Sequence, residues 1–172
     1  GEVRAIGRTL EEAVMKARRS IDTDVQVHTS LSEIRMILSR PTDERFHCLF
    51  DAFRQNMPLD EVAALTSITP FFLEKIKNIV ELEKRLSGPC SAADIIRGRR
   101  FGFTNTEIAQ LTGKPLGEIE SLTASPSYKM VDTCAAEFPA RTPYFYSTYE
   151  PACEIVPTER QKVLILGSGP IR

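Results

Sequence analysis

Arg54-Gln55-Asn56-Met57-Pro58-Leu59-Asp60-Glu61-Val62-Ala63-Ala64-Leu65-Thr66 is answered later in the chain by Arg100-Phe101-Gly102-Phe103-Thr104-Asn105-Thr106-Glu107-Ile108-Ala109-Gln110-Leu111-Thr112. The spacing is constant: Arg54 meets Arg100, Glu61 meets Glu107, Ala63 meets Ala109, Leu65 meets Leu111 and Thr66 meets Thr112. After a small length difference the likeness resumes, with Leu73 and Ile76 answering Leu116 and Ile119. Both copies have one physical reading. A segment ends, a short helix begins, Val or Ile and Leu spaced by three turn inward, and a turn delivers a second helix with an apolar face. Two such units predict two small helical subdomains packed by similar rules, too few for a solenoid.

Outward from the repeats, capping signals place further helices. Thr9-Leu10-Glu11-Glu12 reads as a capping box, followed by a stripe of Leu10, Val14, Ala17 and Ile21. Residues 22–29 are polar and irregular, hence a loop. Ser30-Leu31-Ser32-Glu33 is a second box, opening a helix with Leu31, Ile34, Ile37 and Leu38 inward; Pro41 stops it. Thr42 is expected to cap a helix bearing Phe46, Leu49, Phe50 and Phe53. Thr69-Pro70 opens the longest stripe, Phe72, Leu73, Ile76, Ile79, Val80 and Leu86, which Gly88-Pro89 ends. Ser91 caps a helix with Ile95 and Ile96. Thr104-Asn105-Thr106-Glu107 is another capping box, and Pro115 begins a last helix with Leu116, Ile119 and Leu122 inward.

Beyond residue 127 the texture changes. Residues 130–138 and 144–149 are rich in aromatic and β-branched types and read as extended segments. The alternation in residues 2–6 reads as a short strand, and Lys162-Val163-Leu164-Ile165-Leu166, before Gly167-Ser168-Gly169-Pro170, as the first strand of a parallel sheet. The fold class is therefore mainly α: a helical domain of two small repeated subdomains, then an extended segment and short terminal strands.

Length and composition exclude several functions. The chain has 172 residues, enough for one domain with a sizeable core. Its 22 basic and 23 acidic residues give a net charge of −1, which does not suggest a polyanion partner. No apolar run approaches the ~20 residues that span a bilayer, so no membrane partner is expected. Residues 1–8 are too short and polar to read as a secretory signal. Cys48, Cys90, Cys134 and Cys153 lack zinc-ligand spacing; they read as free thiols of a reducing compartment, and a cytoplasmic location is expected.

Candidate chemistry is thin. His28 and His47 have no metal-ligand neighbours in sequence. Glu61 and Glu107 sit at early helical positions, where a carboxylate caps N–H groups. Cys134, flanked by Asp132 and Glu137, has no histidine nearby to act as base, so burial is the reading adopted. Arg97-Gly98-Arg99-Arg100 reads as a solvated face or an interface pair. Gly167 and Gly169 read as turn residues rather than a phosphate cradle. No catalytic, cofactor-binding or metal-binding residue is assigned. The alternative of another class is a nucleic-acid-binding module of helix-turn-helix type, because residues 107–119 have that pattern. The would-be recognition helix, however, carries Glu118 and Glu120 and no basic residue, and phosphates would repel it.

The stretch Tyr128-Lys129-Met130-Val131-Asp132-Thr133-Cys134-Ala135-Ala136-Glu137-Phe138, followed by Tyr146-Ser147-Thr148-Tyr149-Glu150, resembles the large subunit of carbamoyl-phosphate synthetase between its two ATP-dependent halves. Gly1-Glu2-Val3-Arg4-Ala5-Ile6-Gly7-Arg8 resembles the end of the first ATP-grasp domain, although the family carries Met where this chain has Arg4. The resemblance implies that 1–8 end that domain and that 9–150 form a helical oligomerisation domain with an extended segment at 128–150. It makes 151–172 a linker and the first strand of the following pre-ATP-grasp domain. It implies a non-catalytic oligomerisation and linker role in an enzyme making carbamoyl phosphate from bicarbonate, glutamine-derived ammonia and ATP, for arginine and pyrimidine synthesis. The implied partners are copies of itself, the flanking ATP-grasp domains and a glutaminase small subunit. ATP with magnesium or manganese, and potassium, would belong to the parent enzyme and none of them to this segment.

Overall fold

The computed structural model describes residues 3–21, 27–123, 125–165 and 167. Among these, the helices are α1 (Leu10–Arg19), α2 (Leu31–Leu38), α3 (Glu44–Arg54), α4 (Leu59–Thr66), α5 (Pro70–Leu86), α6 (Ala92–Arg100), α7 (Asn105–Thr112) and α8 (Leu116–Leu122). A two-stranded antiparallel ribbon follows, β1 (Ser127–Met130) and β2 (Phe145–Thr148), with Ser127 opposite Thr148 and Met130 opposite Phe145. The chain is mainly α, as its patterning requires.

The long helix α5 is the axis. It buries Leu73, Ile76, Ile79, Val80, Leu82 and Leu86, a band too wide for one contact face. Accordingly it packs against α1, α3, α4, α6 and α7. One continuous core results, running from Ile34 and Phe50 on the first side to Ile95, Ile108 and Ile119 on the second. The two repeats thus share their interior.

Hydrogen bonding shows the repeat more clearly than the side chains do. Met57 N–H donates to the Ala52 carbonyl at 2.9 Å, and Phe103 N–H to the Gly98 carbonyl at 3.0 Å. The Thr66 hydroxyl donates back to the Val62 carbonyl at 2.7 Å, and that of Thr112 to the Ile108 carbonyl at 2.8 Å. Left-handed residues fall at matching places: Asn56 (φ 60°) with Gly102 (φ 95°), and Ser67 (φ 56°) with Gly113 (φ 68°). The register then runs on without a length change. Phe72 N–H to the Thr69 carbonyl matches Glu118 N–H to the Pro115 carbonyl, both at 3.0 Å. Leu73 therefore answers Ile119, each 0 % exposed, rather than Leu116. Apolar spacing alone misaligned this helix pair by three residues, close to one helical turn.

Several local expectations are corrected. Ser30 makes no cap; its hydroxyl lies 2.8 Å from that of Ser32, and Glu33 turns to His28. Asp43, not Thr42, precedes α3. Leu31, Phe72, Ile96 and Leu116 are exposed, each at the edge of its helix's apolar face. The inward side of α1 is Glu11, Glu12 and Met15, while Leu10, Val14, Ala17 and Ile21 are only half-buried. Residues 131–138 are not extended. Asp132 accepts Cys134 N–H (2.8 Å) and Ala136 N–H (2.7 Å), and Ala135 and Ala136 take positive φ, which folds this stretch into a tight turn. The described parts of the two terminal segments, 3–6 and 162–165, form no strand; among the described residues the sheet is the β1–β2 ribbon, and neither segment pairs with it. Glu2, Leu166, Gly169 and most of the expected 22–29 loop lie outside the described residues.

Candidate functional site

Three features of the surface and its support bear on function, and each is built from helix ends. The first is an ionic centre. Arg54, ending α3, forks onto Glu83 of α5 with Nε to Oε1 and Nη2 to Oε2 both at 2.8 Å, and its Nη1 donates to Asp51 at 2.9 Å. Asp51 is buried and also accepts His28 N–H at 2.8 Å. This bidentate pairing keeps Arg54 charged despite its burial, raising its pKa. Arg18 stacks on the Phe50 ring, 4.7 Å from its centroid, and its pKa is lowered, first by burial and then by Arg54. These charges are mutually compensated, which describes a packing device.

The second feature is the docking of the outgoing chain. Arg99 of α6 hydrogen-bonds the Tyr149 hydroxyl and stacks on its ring at 4.1 Å. Ser127 donates to the Glu150 carbonyl at 2.6 Å. Glu12 of α1 reaches Thr148 at 3.1 Å, and Lys16 reaches the Ser147 carbonyl at 2.6 Å. So Ser147-Thr148-Tyr149 is held by two helices. Beside this contact the ribbon lines a groove of about 680 Å³, with Arg8, Lys129, Met130, Phe138, Tyr146 and Glu154 around it. Phe138 (70 % exposed) and Val156 (83 %) stand open to solvent around it.

Third, Phe71 and Phe72 begin α5 as an exposed edge-to-face pair, ring centroids 5.3 Å apart, with Lys75 over the Phe71 ring. Two exposed phenylalanines side by side are uncommon on a surface with no partner.

The residues read from sequence are placed as follows. Glu107 completes its capping box with Thr104. Glu61 does not cap; it pairs with Arg35 at 2.6 Å. His28 is buried beside Glu33, and His47 is held below its ordinary value by burial and then Arg18. Cys134 is half-buried rather than buried, because its turn lies on the surface. Cys48 is the buried thiol; desolvation first, then Asp51, pushes it up to about 11. Arg97 stacks on Phe101, whereas Arg99 binds Tyr149. Gly167 has no neighbour within 4 Å of a would-be Cβ. Among the described residues no group of three His, Cys, Asp or Glu is placed to hold a metal ion. No described helix is long and apolar enough to cross a membrane. Sequence reasoning missed Lys16, Arg54–Glu83 and the docking role of Glu12, since each depends on partners distant in the chain.

A mostly helical body with an ordered outgoing ribbon, its buried ionic groups engaged in packing, defines a helical domain without an assembled catalytic constellation among its described residues. A family profile described as carbamoyl-phosphate synthetase large chain, oligomerisation domain, matches residues 2–126. The chain belongs to that family. Over its full length it is 73% identical to the carbamoyl phosphate synthase large chain of Methanoregula boonei. It is 63% identical to that of Methanospirillum hungatei and 48% identical to that of Methanosarcina acetivorans. It spans only 16% of the length of the first two of these relatives and 17% of the third. Nothing in these likenesses favours the helix-turn-helix alternative.

Proposed function

We infer that this chain is the non-catalytic segment that joins the two ATP-dependent halves of a carbamoyl-phosphate synthase large chain and carries contacts between its copies. The observation that carries the reading is the family match across α1–α8, on a body whose ionic groups are occupied in packing. The parent would make carbamoyl phosphate from bicarbonate, ammonia and ATP with its metal ions, fed by a glutaminase subunit. Residues 1–8 would close the preceding ATP-grasp domain, 9–150 form the linking domain, and 151–172 lead into the next. The exposure of Val163, Leu164 and Ile165 (83–86 %) supports a tail whose cover lies in a flanking domain. The groove beside Phe138 and Val156 supports docking of those domains on the ribbon. Phe71 and Phe72 support self-association through the start of α5.

The experiment is direct. The purified chain should show no bicarbonate-dependent ATP turnover, and Phe71→Ser with Phe72→Ser should lower its weight-average mass at high concentration. Turnover above a heat-killed control, or a mass untouched by the double substitution, would reject the corresponding part of the reading.

A further inference from the structure

Glu12 is 1 % exposed, and a buried carboxylate costs several kcal/mol unless it is paired and hydrogen-bonded. Its partners come from both ends of the domain. Oε2 accepts Arg8 N–H at 2.6 Å from the incoming chain and the Thr148 hydroxyl at 3.1 Å from the outgoing strand. Oε1 lies 2.8 Å from Lys16 Nζ. That ammonium in turn donates to the Ile6 carbonyl at 2.9 Å and the Ser147 carbonyl at 2.6 Å. So two side chains, one helical turn apart, each bind one backbone group before α1 and one group of β2. Close packing fixes the arrangement. A Cβ on Gly7 would lie 2.7 Å from Ala13 N and 2.9 Å from Glu12 Cβ, so the incoming chain rests directly on this turn.

We propose that Glu12 and Lys16 form a latch that couples the chain arriving at α1 to the chain leaving through β2. Releasing one side removes one of the two outside donors to Glu12 and one of the two carbonyl acceptors of Lys16, which loosens the pair and weakens its hold on the other side. Such coupling is reciprocal by thermodynamic necessity. In a parent where ATP-dependent halves flank this domain, which rests on the function proposed above, the latch would make a displacement on one side felt on the other. The latch itself is tested without that reading.

Hydrogen–deuterium exchange of the intact protein supplies the test, comparing peptides from residues 3–9, 143–150 and α5. Thr148→Val keeps shape and removes only the outgoing hydroxyl. It should raise exchange several-fold at 143–150 and also at 3–9, with α5 unchanged. Lys16→Met should raise both segments, and Lys16→Arg should retain protection in both. Faster exchange confined to 143–150 in Thr148→Val, or a rise spread equally over α5, would overturn the proposal. Failure of the Phe71 and Phe72 double substitution to change mass would leave the exchange result untouched, so the two readings fail separately.

Discussion

The two copies of the repeat share several backbone bonds while many of their side chains differ. In the first, Asn56 and Ser67 occupy the left-handed positions; in the second, Gly102 and Gly113 do. The first copy starts its short helix on Pro58 with no side-chain cap, the second on a complete Thr104–Glu107 box. The first ends in the 17-residue α5, the second in the 7-residue α8. What is held in common is therefore a path of the main chain, and each side chain is set by its own neighbours. Gly102 illustrates this. Its would-be Cβ lies 3.0 Å from Met15 Cβ and 3.2 Å from the Glu12 carbonyl, so α1 closes on the second copy where nothing larger fits. At the equivalent turn, Asn56 instead accepts a hydrogen bond from Lys84 at 2.6 Å.

The comparison can be broken at its paired core positions. Leu73 and Ile119 are both 0 % exposed. Leu73→Ala should cost about 4 kcal/mol because α5 serves both copies, and Ile119→Ala about 2–3 kcal/mol because α8 is peripheral. Chemical denaturation reads both; equal losses would mean that α5 is not the shared axis. Next come the turns. Gly102→Ala should cost about 2–3 kcal/mol, from a left-handed backbone plus contact with Met15. Gly113→Ala should cost about 1 kcal/mol, because nothing lies within 4 Å there. Asn56→Gly should be near neutral. If Gly102 and Gly113 substitutions cost the same, the approach of α1 is not what selects glycine.

Smaller effects sharpen the contrast. Thr104→Ala should cost about 1 kcal/mol by losing the cap, while Pro58→Ala, which has no cap to lose, should cost less. Only the first copy carries a histidine at its position, His47 against Ala93. Its folded pKa lies below the ordinary 6.5, so between the two values the unfolded chain binds more protons. Stability should therefore fall as pH drops below about 6.5, level off under the folded value, and lose that slope in His47→Gln. Thermal melts across pH 5–8 measure this, and an unchanged slope in the variant would assign it elsewhere.

Much of this was legible beforehand. The repeats, the Ser91 cap, the capping box at Thr104, the stripe of α5 and an extended segment at 144–149 follow from spacing and local chemistry. The turn at residues 132–136 did not, because Asp132 overrides a β-prone composition by capturing two N–H groups. The inward face of α1 did not either. Glu12 looks like a solvent-side cap until Thr148 and Lys16 close over it, and hydropathy cannot show a partner so far along the chain. The family-like stretch Ser147-Thr148-Tyr149 was visible as a motif, and only the fold shows that α1 and α6 both grip it.

The central claim, that this helical domain associates with its own copies, is tested most directly by the mass of the purified chain over a concentration series. Sedimentation or light scattering should show a weight-average mass rising above the 19.3 kDa of one chain as concentration increases. A mass that stays at one chain throughout the series would contradict it.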